Sequence, residues 1–133
     1  MANKLPLKQQ LAQFKKERTA WAGGIGLIAK KQFTDNFNKG GFDGKRWQPR
    51  KPTKNQRDVG RAVLVKSGVL KRSITSRVNS WDKITIGSYT PYSRVHNEGS
   101  KKMPQRKFIG DSKILDKKVL DFITKKMNSI FKK

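Results

Sequence analysis

The chain has 133 residues, of which 32 are lysine or arginine and 9 are aspartate or glutamate, so its formal charge is +23 at pH 7. It has no cysteine and one histidine, His96, which excludes a disulfide scaffold, a thiolate nucleophile and a zinc site built from cysteines or several histidines. The hydrophobic share of 34% is lean, but seven phenylalanines and three tryptophans can form a modest core.

The sequence has no segment suited to crossing a membrane. Its longest apolar stretch, Trp21–Ala29, has nine residues, against roughly 20 for a spanning helix. This stretch also follows a charged segment, unlike the core of a secretory signal. We therefore expect a soluble protein, and the length predicts a single domain over residues 1–133.

The first element is a long amphipathic helix, predicted over residues 5–38. Three glycines in its middle oppose it, since each costs about 1 kcal/mol relative to alanine in a helix. We expect either a kink at Gly23–Gly26 or a neighbouring backbone packed closely against that turn. The apolar residues that recur at helical spacing are Leu7, Leu11, Phe14, Trp21, Ile25, Ile28, Phe33 and Phe37.

Residues 39–61 are predicted to form a basic loop, because glycine, proline and a polar run interrupt every regular pattern there. A loop of this length in a small domain is uncommon and is usually functional or mobile. Two interpretations of Trp47 stay open at this stage. Its ring either anchors the loop in the core or, beside Arg46 and Arg50, stacks on a nucleobase.

Residues 62–110 are predicted to hold short helices and a β-hairpin. Ser67 can cap a short helix running to about Ser73, and strands are expected over 75–79 and 83–88. A further short helix over 92–97 ends at Gly99. A second amphipathic helix follows over 112–132, capped by Asp111 or Ser112.

This order of elements predicts an α+β fold in which a long N-terminal helix and a C-terminal helix pack on a small antiparallel sheet, with long basic loops. A sheet of two or three strands is marginal on its own. Its thinness suggests that partner subunits complete the structure.

Positive charge is concentrated in the middle of the chain. Residues 45–77 contain eleven lysines and arginines against one acid, Asp58. Such a density repels itself unless a polyanion or an acidic protein surface lies opposite. A solvated basic surface, a nucleic-acid contact and an acidic partner all remain open, because charge alone does not choose between them.

The sequence contains no convincing catalytic or cofactor site. Gly24–Ala29 matches G-x-G-x-x-A, but the dinucleotide fingerprint requires a preceding strand, and here a charged helical segment precedes it. His96 and Glu98 are too close in sequence to converge on one substrate, and the other acids are scattered. We therefore predict that the protein is not an enzyme and binds no metal or cofactor.

Four short segments form an ordered set of motifs. They are FDGKRWQP (Phe42–Pro49), LVKSGVLKRSI (Leu64–Ile74), YSRVHNEG (Tyr92–Gly99) and MPQRKFIG (Met103–Gly110). As a set they resemble the Mu-like phage virion morphogenesis, or tail completion, proteins, which are related to the neck and head–tail joining proteins of long-tailed phages. The resemblance spans residues 33–125. This sequence departs from the P-x-R-P-F pattern that is common in the family, because Lys107 stands in place of the second proline.

The resemblance implies a structural virion protein at the head–tail junction, assembled in the host cytoplasm. It implies a hexameric or dodecameric ring that contacts portal or adaptor proteins and tail-terminator or tail-tube proteins. It carries no catalytic residues. The motif residues, which we expect to be structural, are Gly44, Trp47, Pro49, Ser67, Gly68, Leu70, Ser73, Ile74, Tyr92, His96, Gly99, Pro104, Arg106, Phe108 and Gly110.

Arg106 is expected to tie its loop to a neighbouring carboxylate or carbonyl. The basic loops are expected to contact an acidic face of the portal or adaptor ring, or DNA in the channel. We favour the protein partner, since a strongly attractive channel would retard DNA. The candidate contacts are Lys45, Arg46, Arg50, Lys51, Lys54, Arg57, Arg61, Lys101 and Lys102. The alternative function is that of a basic protein that binds nucleic acid without sequence preference.

Overall fold

The computed structural model describes residues 6–48, 69–101 and 104–131. In chain order the elements are α1 (Leu7–Lys39), β1 (Gly41–Phe42), β2 (Lys45–Arg46), α2 (Val69–Arg72), β3 (Ile74–Ser80), β4 (Lys83–Ser88), α3 (Ser93–Glu98) and α4 (Lys113–Ile130). Helices and antiparallel hairpins make this an α+β fold, as the sequence predicts. The single predicted sheet is replaced by two separate two-stranded sheets.

Helix α1 is the longest element. Its 33 residues correspond to about 50 Å at the usual helical rise. The helix ends at Gly40, which adopts a left-handed conformation (φ +68°) and donates its backbone N–H to the carbonyl of Asn36 at 2.9 Å. Only glycine enters this conformation without steric cost, so it marks where the helix stops.

The glycine-rich turn of α1 is filled by side chains of neighbouring elements. The Phe122 ring of α4 lies so close to Gly24 that an added Cβ would come within 2.7 Å of its Cζ. At Gly26, an added Cβ would lie 3.3 Å from the Cβ of Ser76 on β3. The glycines therefore make room for side chains of α4 and β3. The sequence predicted a kink or a closely packed neighbouring backbone at this turn, but α1 continues through it and its neighbours there are side chains.

The core lies on the C-terminal half of α1. The first turns of α1 lie outside this core, since the Leu7 and Leu11 side chains are 65% and 45% exposed. The predicted apolar stripe is therefore buried only from Trp21 onward. The buried cluster comprises Ala29, Phe33, Phe37, Trp47, Leu70, Ile74 and Phe108.

Strands β3 and β4 form the larger hairpin and pack on α1. Their register runs from Ile74 opposite Ser88 to Ser80 opposite Lys83, with an irregularity between Val78 and Ser80. These strands match the predicted hairpin with one or two residues added to the first strand. Alternating apolar residues such as Ile84 and Ile86 are half-buried, as a one-sided sheet requires.

A second, much smaller hairpin lies within the segment predicted as a loop. Strands β1 and β2 pair Gly41 with Arg46 and Phe42 with Lys45. Asp43 and Gly44 form the turn, with φ of +48° and +83°. An Asp-Gly pair between short strands is a strong hairpin signal, so the loop prediction is wrong at 41–46. Lys39 and Gly40 of the predicted loop end α1 instead, Trp47 and Gln48 follow β2, and residues 49–61 lie outside the described residues.

Helix α4 packs antiparallel to α1. Phe131 at its end lies near Phe14, Phe122 lies at Gly24, and the Lys118 ammonium donates to the Gln32 side chain. Ser112 is the N-cap, and its hydroxyl accepts the backbone N–H of Leu115 at 3.0 Å. Among the described helices, none combines the length and apolar character that a membrane span requires.

Two adjacent glycines of α1 test this packing. We expect Gly23→Ala to raise the free energy of unfolding by about 0.5–1 kcal/mol, because alanine favours the helix and nothing lies within 4 Å of the added Cβ. Gly24→Ala should gain less or lose stability, because the Phe122 ring must move. Urea unfolding of both variants measures the difference, and equal gains would contradict the packing of α4 at this turn.

Candidate binding surface around the basic hairpin

The four motifs meet at the C-terminal end of α1, and Trp47 lies at their centre. Its ring is buried and packs edge-to-face on Phe37, with the centroids 5.7 Å apart. Its indole N–H donates to the carbonyl of Lys107 at 2.8 Å, and its backbone N–H donates to the carbonyl of Gly40 at 2.8 Å. A residue that is only 8% exposed offers no platform on which a nucleobase could stack. Trp47 is a core anchor.

Arg106 joins the fourth motif to the first and third. Its guanidinium Nε donates to the carbonyl of Gln48 at 3.1 Å, and its backbone N–H donates to the carbonyl of His96 at 2.8 Å. The side chain is only 9% exposed. The predicted tie to a neighbouring carbonyl is therefore present, and it fixes the chain directly after Trp47.

Two asparagines satisfy the backbone around Phe108. The Asn97 side-chain oxygen accepts the backbone N–H groups of Phe108 at 2.8 Å and Ile109 at 3.0 Å. The Asn36 amide donates to the carbonyl of Phe108 at 3.1 Å. Because Phe108 is buried against Phe37, these bonds replace the water that its peptide groups lose. The sequence analysis did not single out either asparagine, although the polar Asn36 on an apolar stripe was a usable signal.

Asp43 joins the β1–β2 hairpin, which we call the basic hairpin because it carries Lys45 and Arg46, to α4. One carboxylate oxygen accepts the Ser112 hydroxyl, and the other accepts the backbone N–H of Lys113 at 2.8 Å. A carboxylate is favoured at the N-terminal end of a helix, where backbone N–H groups are unpaired. Nothing in the sequence around Asp43 indicates this contact, because its partners lie about 70 residues further along the chain.

The second motif supplies buried residues beside this cluster. Leu70 and Ile74 belong to the core, and Ser73 donates to the carbonyl of Leu70 at 2.6 Å and contacts the Ser88 hydroxyl. Ser67, Gly68 and Pro49 lie outside the described residues.

The remaining motif residues shape the loops. Gly99 has φ of +81°, and an added Cβ would lie 3.0 Å from the backbone N of Gln105, so the third and fourth motifs touch there. Gly110 also has positive φ. Pro104 is half-buried, and Tyr92 is exposed with its ring edge-on to His96.

The hairpin presents positive charge on this rigid support. Lys45 and Arg46 are exposed and, with Lys107, line an open groove of about 430 Å³. The Lys107 ammonium also lies 5.0 Å from the Phe42 ring centroid. Among the described residues that line the groove, Asp43 is the one acid, and it accepts hydrogen bonds from the Ser112 hydroxyl and the backbone N–H of Lys113. The groove therefore suits an anionic group.

The other predicted contacts are only partly located. Lys101 is exposed on the segment after Gly99. Outside the described residues lie Arg50, Lys51, Lys54, Arg57, Arg61 and Lys102.

His96 and the acids of the described residues form no metal-binding cluster. Within those ranges, no three His, Asp or Glu side chains are placed to hold a metal ion. Glu98 accepts Arg94 Nε at 3.0 Å in an exposed ion pair. The ring of His96 packs beside Tyr92, and its Nδ1 is buried with no hydrogen-bond partner.

A protein-family model described as the phage virion morphogenesis family matches residues 4–128. The match includes all four motifs, the whole of α1, and α4 as far as residue 128. No curated protein and no solved structure matches the chain.

Asn97 provides a test of the backbone cluster. We expect Asn97→Ala to lower the free energy of unfolding by about 1–3 kcal/mol, because the N–H groups of Phe108 and Ile109 lose their acceptor. Asn97→Asp keeps an oxygen in the same place and should retain most of the stability. Chemical unfolding compares them, and two variants of equal stability would show that the hydrogen bonds contribute nothing.

His96 provides a test by pH. Burial and, next, the charge of Arg106 lower the pKa of His96 below its ordinary value of 6.5. As pH falls through that value, the unfolded chain takes up a proton that the folded chain does not, so the free energy of unfolding decreases. Below the folded-state pKa the decrease ends. We expect His96→Gln to flatten this dependence between about pH 7.5 and about pH 5, as measured by urea unfolding. An unchanged slope would contradict it.

Proposed function

Because the chain belongs to the phage virion morphogenesis family, we propose that it is a structural virion protein of the neck or tail-completion type. Membership itself supports a structural or assembly role in building the phage particle. The finer proposal is that copies form a ring, hexameric or dodecameric, at the head–tail junction and allow head and tail to join. In this proposal the protein assembles in the host cytoplasm and acts without catalysis.

The observation that carries the proposal is the role of the motif residues. Trp47, Arg106 and Phe108 are buried and bonded to neighbouring chain segments. These motif residues hold the β1–β2 hairpin in place. We therefore infer that the function is performed by the surface of that hairpin, the groove lined by Lys45, Arg46 and Lys107, which we call the basic groove.

Charge indicates what such a surface meets. A ring of copies, each carrying +23, concentrates positive charge and repels itself unless acidic neighbours compensate. Lys45, Arg46 and Lys107 place three cations around a groove whose described lining contains one acid, Asp43. We therefore assign the groove to an acidic face of a portal or adaptor protein, with tail-terminator or tail-tube proteins as further neighbours.

Binding to nucleic acid is the rival function. The burial of Trp47 removes the aromatic platform that single-strand binding would use. The positive charge alone supports backbone contacts, which weaken steeply with salt. We therefore test this rival by measuring how the purified chain and its hairpin variant bind duplex DNA at different salt concentrations.

We expect Lys45→Glu/Arg46→Glu, introduced into the encoding phage or prophage, to leave complete heads and tails that do not join. Reversing two charges against an acidic face should reduce joined particles by about tenfold or more. The control is Lys30→Glu/Lys31→Glu, the same reversal on exposed positions of α1. Electron microscopy counts the particles, and quantitative mass spectrometry should find about six or twelve copies per virion.

Normal joining by the hairpin variant would overturn the assignment of the groove. Absence of the protein from purified virions would overturn the ring. Salt-sensitive binding of the purified chain to duplex DNA, lost in the hairpin variant while joining stays normal, would favour the nucleic-acid rival.

A further inference from the structure

The N-terminal end of α1 carries a second surface, unlike the basic groove. We call it the aromatic end and define it as Leu7, Leu11, Phe14, Trp81, Met127 and Phe131. Leu7, Leu11, Trp81 and Met127 are exposed at 65%, 45%, 43% and 37%. The set joins three separate parts of the chain in one apolar surface.

Phe14 is the centre of this surface. Its ring centroid lies 6.2 Å from that of Trp81 and 6.4 Å from that of Phe131. Leu11 and Leu7 continue from Phe14 at spacings of three and four residues, so they form a ridge along one face of α1. Met127 lies one turn before Phe131 on α4.

The ridge exists because α1 is longer than the elements that cover it. The turn of the β3–β4 hairpin, at Trp81, and the end of α4, at Phe131, both reach Phe14. Among the described residues, nothing buries Leu7 or Leu11. The apolar stripe that fills the core therefore continues for about two helical turns beyond the body.

The rim of the ridge is basic. Lys8, Lys15 and Lys16 are exposed on α1, and the Arg18 guanidinium lies 4.3 Å from the Trp81 ring centroid. Lys125 and Lys126 are exposed near the end of α4.

Near the ridge, Glu17 and Asp82 bring two formal negative charges against the six positive charges of this rim. Glu17 accepts the Gln13 amide at 3.0 Å, and Asp82 accepts the Ser80 hydroxyl at 2.6 Å. A second copy of this chain would bring like charges together around the ridge.

We propose that the aromatic end binds an amphipathic helix of a different protein, with an apolar stripe flanked by acidic residues. A helical ridge packs well into the groove beside a partner helix's apolar stripe. Acidic flanks would pair with the lysine and arginine rim. The charge of the rim selects this occupant over a second copy.

This surface is remote from the basic groove. Leu11 and Gly41 are separated by 30 residues of α1 and its cap, which correspond to about 45 Å along the helix axis. The two ends of α1 therefore present different chemistry, anion-binding at one and apolar with a basic rim at the other. The inference goes beyond the proposed function and does not depend on the groove.

The test uses the full chain and a fluorescein-labelled synthetic helix with leucines at every third or fourth position and glutamates beside them. Two peptides serve as controls, one with the same composition in scrambled order and one with lysine in place of glutamate. We expect the patterned acidic peptide to bind about tenfold or more tightly than either control, as measured by fluorescence anisotropy.

Matched variants locate the binding. Leu7→Ser/Leu11→Ser should weaken it by about tenfold or more, and both residues are exposed, so the fold is retained. Leu27→Ser is the control, because Leu27 is also 65% exposed but lies on another face of α1. Circular dichroism checks the fold of each variant. Equal binding by both variants would overturn the proposal.

Two further outcomes also overturn the proposal. Equal affinity for the scrambled peptide would mean that charge alone attracts it. If sedimentation shows oligomers of the unmodified chain that are absent from the Leu7→Ser/Leu11→Ser variant, the surface binds a second copy of the chain. Lys45→Glu/Arg46→Glu should leave peptide binding unchanged, so a failure of the groove assignment does not affect this result.

Discussion

The burial of Trp47 against Phe37 determines the arrangement of everything at the C-terminal end of α1. Its indole N–H requires an acceptor when buried, and the carbonyl of Lys107 supplies it. That bond holds the segment before α4 against the segment after β2. Arg106 to Gln48 and Asp43 to Lys113 then join the same segments from either side. Without Trp47 in the core, these bonds would lose the shared geometry on which they depend.

The charge distribution follows from this support. A core that is small for the length of the chain leaves most lysines and arginines outside it, and the anchored hairpin holds two of them, Lys45 and Arg46, on a rigid edge. A charge held in place binds a partner at lower entropic cost than one on a mobile side chain and backbone. The fold therefore converts a general excess of positive charge into one defined surface, consistent with an assembly role in a phage particle.

The length of α1 gives the protein two separate ends. One long helix connects the basic groove to the aromatic end, and the core occupies only the half that lies nearer the groove. A small subunit that must contact more than one neighbour needs surfaces far apart, and a long helix provides that separation with few residues. The exposure of Leu7 and Leu11 is then a feature of the architecture and does not reflect a poor core.

Most elements and the family could be predicted from the sequence, and the exception is the β1–β2 hairpin in a segment predicted as a loop. Helical periodicity predicted α1 and α4, alternation predicted β3 and β4, and the ordered motifs indicated the family that residues 4–128 match. The fold shows what no sequence pattern indicated: Trp47 is buried, Asn97 and Asp43 hold the loops, and the apolar stripe is covered from Trp21 but not at Leu7. The physical reason is that periodicity reports which face of one element is apolar, whereas burial and hydrogen-bond partners depend on where distant segments end and meet.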